Sequence, residues 1–75
     1  MGHPAKHYHK GFAISAMAFQ LPSGMWTVDI VIDQHGIPVY RFQDVVDSSS
    51  SHEAEQQSIA ATCRFLDTNF PANRT

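Results

Sequence analysis

Cysteine is nearly absent from this chain: Cys63 stands alone among 75 residues. A single thiol excludes an intramolecular disulfide, a CxxC motif and any Cys/His spacing of the zinc-finger kind. Charge is scarce as well. Charged residues make up 16% of the chain, against the roughly 25% usual in soluble domains. The five basic residues, Lys6, Lys10, Arg41, Arg64 and Arg74, are scattered, and the formal net charge is −2. Duplex binding needs a clustered basic footprint, so this composition argues against a nucleic-acid surface. No apolar run approaches the roughly 20 residues that cross a bilayer. Lys6 and Lys10, followed by the run Phe12 to Phe19 with Ala16-Met17-Ala18 inside it, resemble a secretory leader. That run is short, Ser15 interrupts it, and cleavage there would remove a strand from a minimal domain. The expectation is a cytoplasmic protein without a membrane partner.

The length allows one domain, burying only about 60% of its unfolded surface. With no disulfide to help, self-association is the expected source of further burial. What the chain does contain is alternation. Phe12, Ile14, Ala16 and Ala18 recur at period two, as do Trp26, Val28, Ile30 and Ile32, and then Tyr40 and Phe42. Period two places each set on one face of a strand. Turns are expected at Leu21-Pro22-Ser23-Gly24 and at Gln34-His35-Gly36. In the second hairpin a two-residue loop would put Arg41 on the apolar face opposite Ile30. A three-residue loop with Gly36 at a bulge avoids this, setting Ile30 opposite Tyr40, Val28 opposite Phe42 and Asp29 opposite Arg41. Pro38 cannot donate to a ladder, which makes the third strand an edge or starts it late.

Beyond a connector over Asp44 to Ser49 the pattern becomes helical. Ser50 as N-cap puts Glu53 at the capping-box position, and a helix is expected from Ser51 to about Thr68, with Asn69 as a cap before Pro71. Ser58, Ile59, Thr62, Phe65 and Leu66 share one side of it. The expected fold class is therefore α+β: a three-stranded antiparallel sheet (β-β-β-α) with one C-terminal helix packed on one face. Residues 1–9 read as a flexible N-terminal segment, 10–70 as the domain and 71–75 as a tail.

A single helix covers one side of a sheet. The Trp26 side is the expected core, which also takes Trp26 and Tyr40 away from any base-stacking role. The other side keeps Met17, Phe19, Val31, Ile37 and Val39 beside Arg41. These six are the expected partner surface, because a contiguous exposed apolar strip marks association. Pairing of an edge strand is a second route to the same homodimer.

Candidate chemistry is sparse. His3, His7 and His9 are the metal candidates, since imidazole binds zinc, nickel and copper, but no carboxylate or thiolate lies near them in sequence. His35 in a turn and His52 in the first helical turn have no nucleophile partner. Cys63, mid-helix, reads as a small buried hydrophobe. Asp29 and Asp33 share a strand face, yet nothing supplies a pocket for acid–base work. No catalytic residue and no cofactor are expected.

Tyr8, Gly11, Phe12 and Ile14, then Leu21-Pro-Ser-Gly24, Trp26, Ile30, Gly36 and Phe42, and a helix opening His52-Glu-Ala54 and closing near Phe65-Leu-Asp67 resemble a group of short uncharacterised bacterial proteins built as strands followed by one helix. The resemblance implies the element order and carries no activity. The Glu-Ala helix after a hairpin is also similar to HicB-type antitoxins, although the acidic Pro-Asp-Leu-Pro-Gly stretch and the DNA-binding segment of those proteins are missing. The chain thus reads as a non-catalytic binding or interaction domain that self-associates through its helix-free sheet face or an edge strand. The alternatives are a nucleic-acid-linked, antitoxin-like regulator using Lys6, Lys10 and Arg41, and metal binding through the N-terminal histidines.

Overall fold

The computed structural model describes residues 5–70. Its elements in order are β1 (Ala5–His9), β2 (Phe12–Gln20), β3 (Trp26–Gln34), β4 (Ile37–Val46) and α1 (Ser51–Asn69). The strands form one antiparallel sheet in the order β1-β2-β3-β4. The class and the C-terminal helix are as the sequence indicates, but there are four strands and not three.

The additional strand is β1, within the segment expected to be flexible. Its sequence, Ala-Lys-His-Tyr-His, has no apolar alternation, so its own residues carry no strand signal. The turn after it forms the strand. Lys10 and Gly11 both have positive φ, 53° and 83°, as in a type I′ turn, whose twist matches that of a hairpin. That turn pairs His9 with Phe12, His7 with Ile14 and Ala5 with Ala16. His3 and the expected tail at 71–75 lie outside the described residues.

The β3–β4 turn is a correction to the three-residue loop. Gln34 pairs with Ile37, leaving only His35 and Gly36 between them, at φ 55° and 79°. The hairpin keeps Arg41 off the core by other means. The register shifts between Ile32 and Asp33: Asp33 pairs with Pro38, but Ile32 pairs with Tyr40, so Val39 is an extra residue. The bulge sits beside Pro38, where the ladder lacks a donor in any case. Ile30 consequently faces Phe42 and Val28 faces Asp44, each two residues along β4 from the expected register. Asp29 faces Gln43, whose Nε2 donates to Asp29 Oδ1 at 2.6 Å, while Arg41 faces Val31. Pairing also continues to Val46, so Asp44 to Val46 belong to β4 and not to a connector.

Local chemistry sets the limits of α1. The N-cap Ser50 is extended, at φ −155° and ψ 163°, and its Oγ accepts from the Glu53 N–H at 3.1 Å. The Glu53 carboxylate reaches back one residue further than a capping box requires. It accepts from the Ser49 hydroxyl at 2.6 Å and from the Ser49 N–H at 3.1 Å. At the other end Asn69 Nδ2 donates to the Phe65 carbonyl at 2.8 Å, and the Phe70 N–H to that of Leu66 at 2.7 Å.

The helix lies mainly over β2 and buries Ala54, Ser58, Ile59, Thr62 and Leu66. Beneath it Phe12, Ile14, Ala16, Val28, Ile30 and Ile32 are buried. Trp26 packs partly buried against this core, its Nε1–H donating to the Ser48 carbonyl at 3.1 Å. Because the helix is centred on β2, the inner side of β4 is only half covered. Tyr40 and Phe42 meet Phe65 there edge to face, with ring centroids 5.6 and 6.1 Å apart.

Candidate functional site

The helix-free face is built from four pleated rows. Phe19, Thr27 and Val45 form one row and Met17, Asp29 and Gln43 the next. Lys6, Ser15, Val31 and Arg41 form the third, and Tyr8, Ala13, Asp33 and Pro38 the fourth. Phe19, Val45 and Tyr8 are exposed by 48%, 59% and 72%, while Met17 and Val31 are half-buried. Ser15, Met17, Asp29, Val31 and Arg41 line one shallow depression.

Four of the six expected partner residues, Met17, Phe19, Val31 and Arg41, therefore share this face. Ile37 and Val39 do not. Ile37 stands opposite Gln34, in the row that runs through Phe12 under the helix. Val39 shares Ile32 with Tyr40 and lines a groove with Phe12, Tyr40 and Phe70. The shorter turn moved Ile37, since a loop one residue shorter exchanges faces, and Val39 is the bulge residue itself, after which Arg41 returns to the open face. Val45 and Tyr8 occupy the face in their place. Val45 was hidden by its assignment to a connector and Tyr8 by the unrecognised strand.

A second cluster lies on the helix side. Ala5, His7 and His9 pair with Ala16, Ile14 and Phe12, so these β1 positions all point toward α1. Period two sets the two imidazoles side by side, with centroids 6.4 Å apart and planes inclined by 26°. Cys63 comes to meet them from α1. One ligand atom from each of His7, His9 and Cys63 can be chosen so that all three lie within 4.8 Å of one another.

Asp67, one helical turn beyond Cys63, completes the seam. Its Oδ1 is 2.9 Å from His9 Nε2 and 3.0 Å from Lys10 Nζ. The His9 hydrogen bond, followed by that of Lys10, holds the Asp67 carboxyl below its ordinary 3.8. Burial, and then the Asp67 charge, push the Cys63 thiol up, with Arg64 opposing. Without a cation that thiol is protonated at neutral pH. Sequence reading paired the histidines with no thiolate or carboxylate because Cys63 and Asp67 are remote along the chain. The only local signal was the matching phase of His7 and His9.

The remaining candidates are dispersed. Lys6 and Arg41 flank one row of the open face, whereas Lys10 is held by Asp67. His35 and His52 are exposed. Asp29 is bound by Gln43, and Asp33 Oδ1 is buried with no hydrogen-bond partner among the described residues. An open groove of about 310 Å³ is lined by Phe42, Asp44, Ala61, Thr62 and Phe65. Among the described residues no helix is long and apolar enough to cross a membrane. No protein-family model, curated protein or solved structure matches the chain.

Proposed function

We propose that this chain is a small non-catalytic binding domain that works as a homodimer, paired through the helix-free face of its sheet. The observation that carries the reading is the composition of that face. Exposed Phe19 and Val45 and half-buried Met17 and Val31 surround a depression containing both Asp29 and Arg41. A twofold contact must be self-complementary. Opposite charges in one patch meet that condition, because Asp29 of each copy can approach Arg41 of the other. At about 3.3 Å per residue and 4.8 Å per strand the face measures roughly 30 by 15 Å. Two copies would bury on the order of 1,000 Å², near the lower bound for a specific interface, so the dimer is of moderate affinity.

The test is Val31→Lys. It places an ammonium at the centre of the contact and leaves the helix side intact. Sedimentation equilibrium across a concentration series is expected to show a dimer for the parent chain and a monomer for the variant, with unchanged far-ultraviolet circular dichroism. A parent chain that stays monomeric, or a variant with undiminished mass, rejects this surface.

A further inference from the structure

We infer that His7, His9 and Cys63 form an intrachain site for a thiophilic divalent cation, with zinc as the metal its ligand types suit. The inference goes beyond the dimer and uses the opposite side of the sheet. Two imidazoles and one thiolate are the borderline-soft donors that zinc takes in tetrahedral sites. Zn–N of about 2.05 Å and Zn–S of about 2.3 Å put such donors roughly 3.3–3.6 Å apart. The three donors already lie within 4.8 Å of one another. Closing the site therefore takes about 1 Å of side-chain movement, and His7, the most exposed of the three, is free to make it.

A second observation supports the first. Metal-binding histidines commonly donate their other ring N–H to a carboxylate, which fixes the tautomer and the ring orientation. With the cation on His9 Nδ1, the hydrogen bond between His9 Nε2 and Asp67 Oδ1 at 2.9 Å would be that arrangement. An ionised carboxylate only accepts, so Nε2 carries the proton of this hydrogen bond and Nδ1 is the ring atom left for the cation. Asp67 is thus a positioning residue for His9, and Lys10 holds it from the other side. Solvent fills the fourth coordination position. On binding, the Cys63 thiol gives its proton to solvent and the sulfur coordinates as thiolate.

A cation here would clip the edge strand β1 to α1. Cobalt(II) is the probe, because tetrahedral thiolate ligation gives it charge-transfer absorption and intense ligand-field bands. Reduced, metal-free full-length chain titrated with cobalt is expected to saturate at one equivalent with both features, and zinc is expected to bleach them. Cys63→Ser should abolish the charge-transfer band while helicity persists. His7→Gln and His9→Gln should each weaken binding at least tenfold, and Asp67→Asn about 10- to 100-fold with the band retained. Zinc at a hundredfold excess over its dissociation constant should raise the unfolding midpoint by roughly 10 °C or more. Val31→Lys should bind cobalt like the parent chain, so the outcome here is separate from the fate of the dimer. Three results would each overturn the site: no charge-transfer band at stoichiometric cobalt, equal affinity in the folded Cys63→Ser variant, or a signal that follows His3→Gln and not His7→Gln.

Discussion

Ile30 and Val31 are neighbours on β3 with opposite fates, and truncating each to Ala separates the two faces of the sheet energetically. Ile30 has no solvent exposure and packs beneath the helix. Ile30→Ala removes about three methylene equivalents, or ~2.4 kcal/mol of transfer free energy at ~0.8 kcal/mol each. Buried β3 is held between β2 and β4, so the space cannot collapse fully, and the cavity raises the loss to about 3–4 kcal/mol. A domain of this size has about 4–11 kcal/mol in total, so the variant loses a large share of it. At about 4–8 °C per kcal/mol the midpoint falls by roughly 12–30 °C.

Val31→Ala removes two carbons from a half-buried side chain on the open face. The cost is about 1 kcal/mol or less, a shift below about 8 °C. Thermal unfolding followed by circular dichroism, at low and high protein concentration, measures both. The Ile30→Ala loss should be the same at the two concentrations. The Val31→Ala loss should grow at the higher one, because a dimer stabilises the native state by mass action. Equal losses for the two variants in dilute solution would refute the assignment of inside and outside.

Two further outcomes concern the start of the helix. Ser50→Ala leaves the Glu53 N–H without its acceptor and should cost about 1 kcal/mol, read as a midpoint lower by roughly 4–8 °C. An unchanged midpoint would remove the cap from the account. In acid, Glu53 should contribute to unfolding. The Ser49 hydroxyl, then its N–H, hold the Glu53 carboxyl below its ordinary 4.5, outweighing desolvation in the other direction. A depressed folded value means that the unfolded chain takes up the proton first. The stabilisation is therefore complete above 4.5 and is lost as pH falls through the lower, folded value. The midpoint of Glu53→Gln should depend less on pH in that acid range than that of the parent chain, and matching profiles would contradict the assignment.

Much of the fold was legible because its causes are local. Alternation along Phe12 to Ala18 and Trp26 to Ile32 depends on the chain's own period, and the structure buries the faces it marks. The Ser50 and Glu53 cap and the buried arc from Ser58 to Leu66 are likewise properties of one short segment. The open face was legible only in part. Met17, Phe19, Val31 and Arg41 share it, but the placement of Ile37 and Val39 depended on counting loop residues. Two solutions satisfied the burial pattern there, a three-residue loop or a two-residue turn with a bulge. The pairing of Gln34 with Ile37 and of Asp33 with Pro38 distinguishes them.

The sequence by itself determined which sides of β2, β3 and α1 are apolar and where the helix starts, since period and capping act within a few residues. The tertiary structure decided that Ala5–His9 is a strand, because its pairing energy comes from β2 and not from its own side chains. It also decided that His9 lies against Asp67, 58 residues further along the chain, with Cys63 one helical turn away. Proximity across that separation is set by how a whole helix sits on a whole sheet, and no local pattern encodes it.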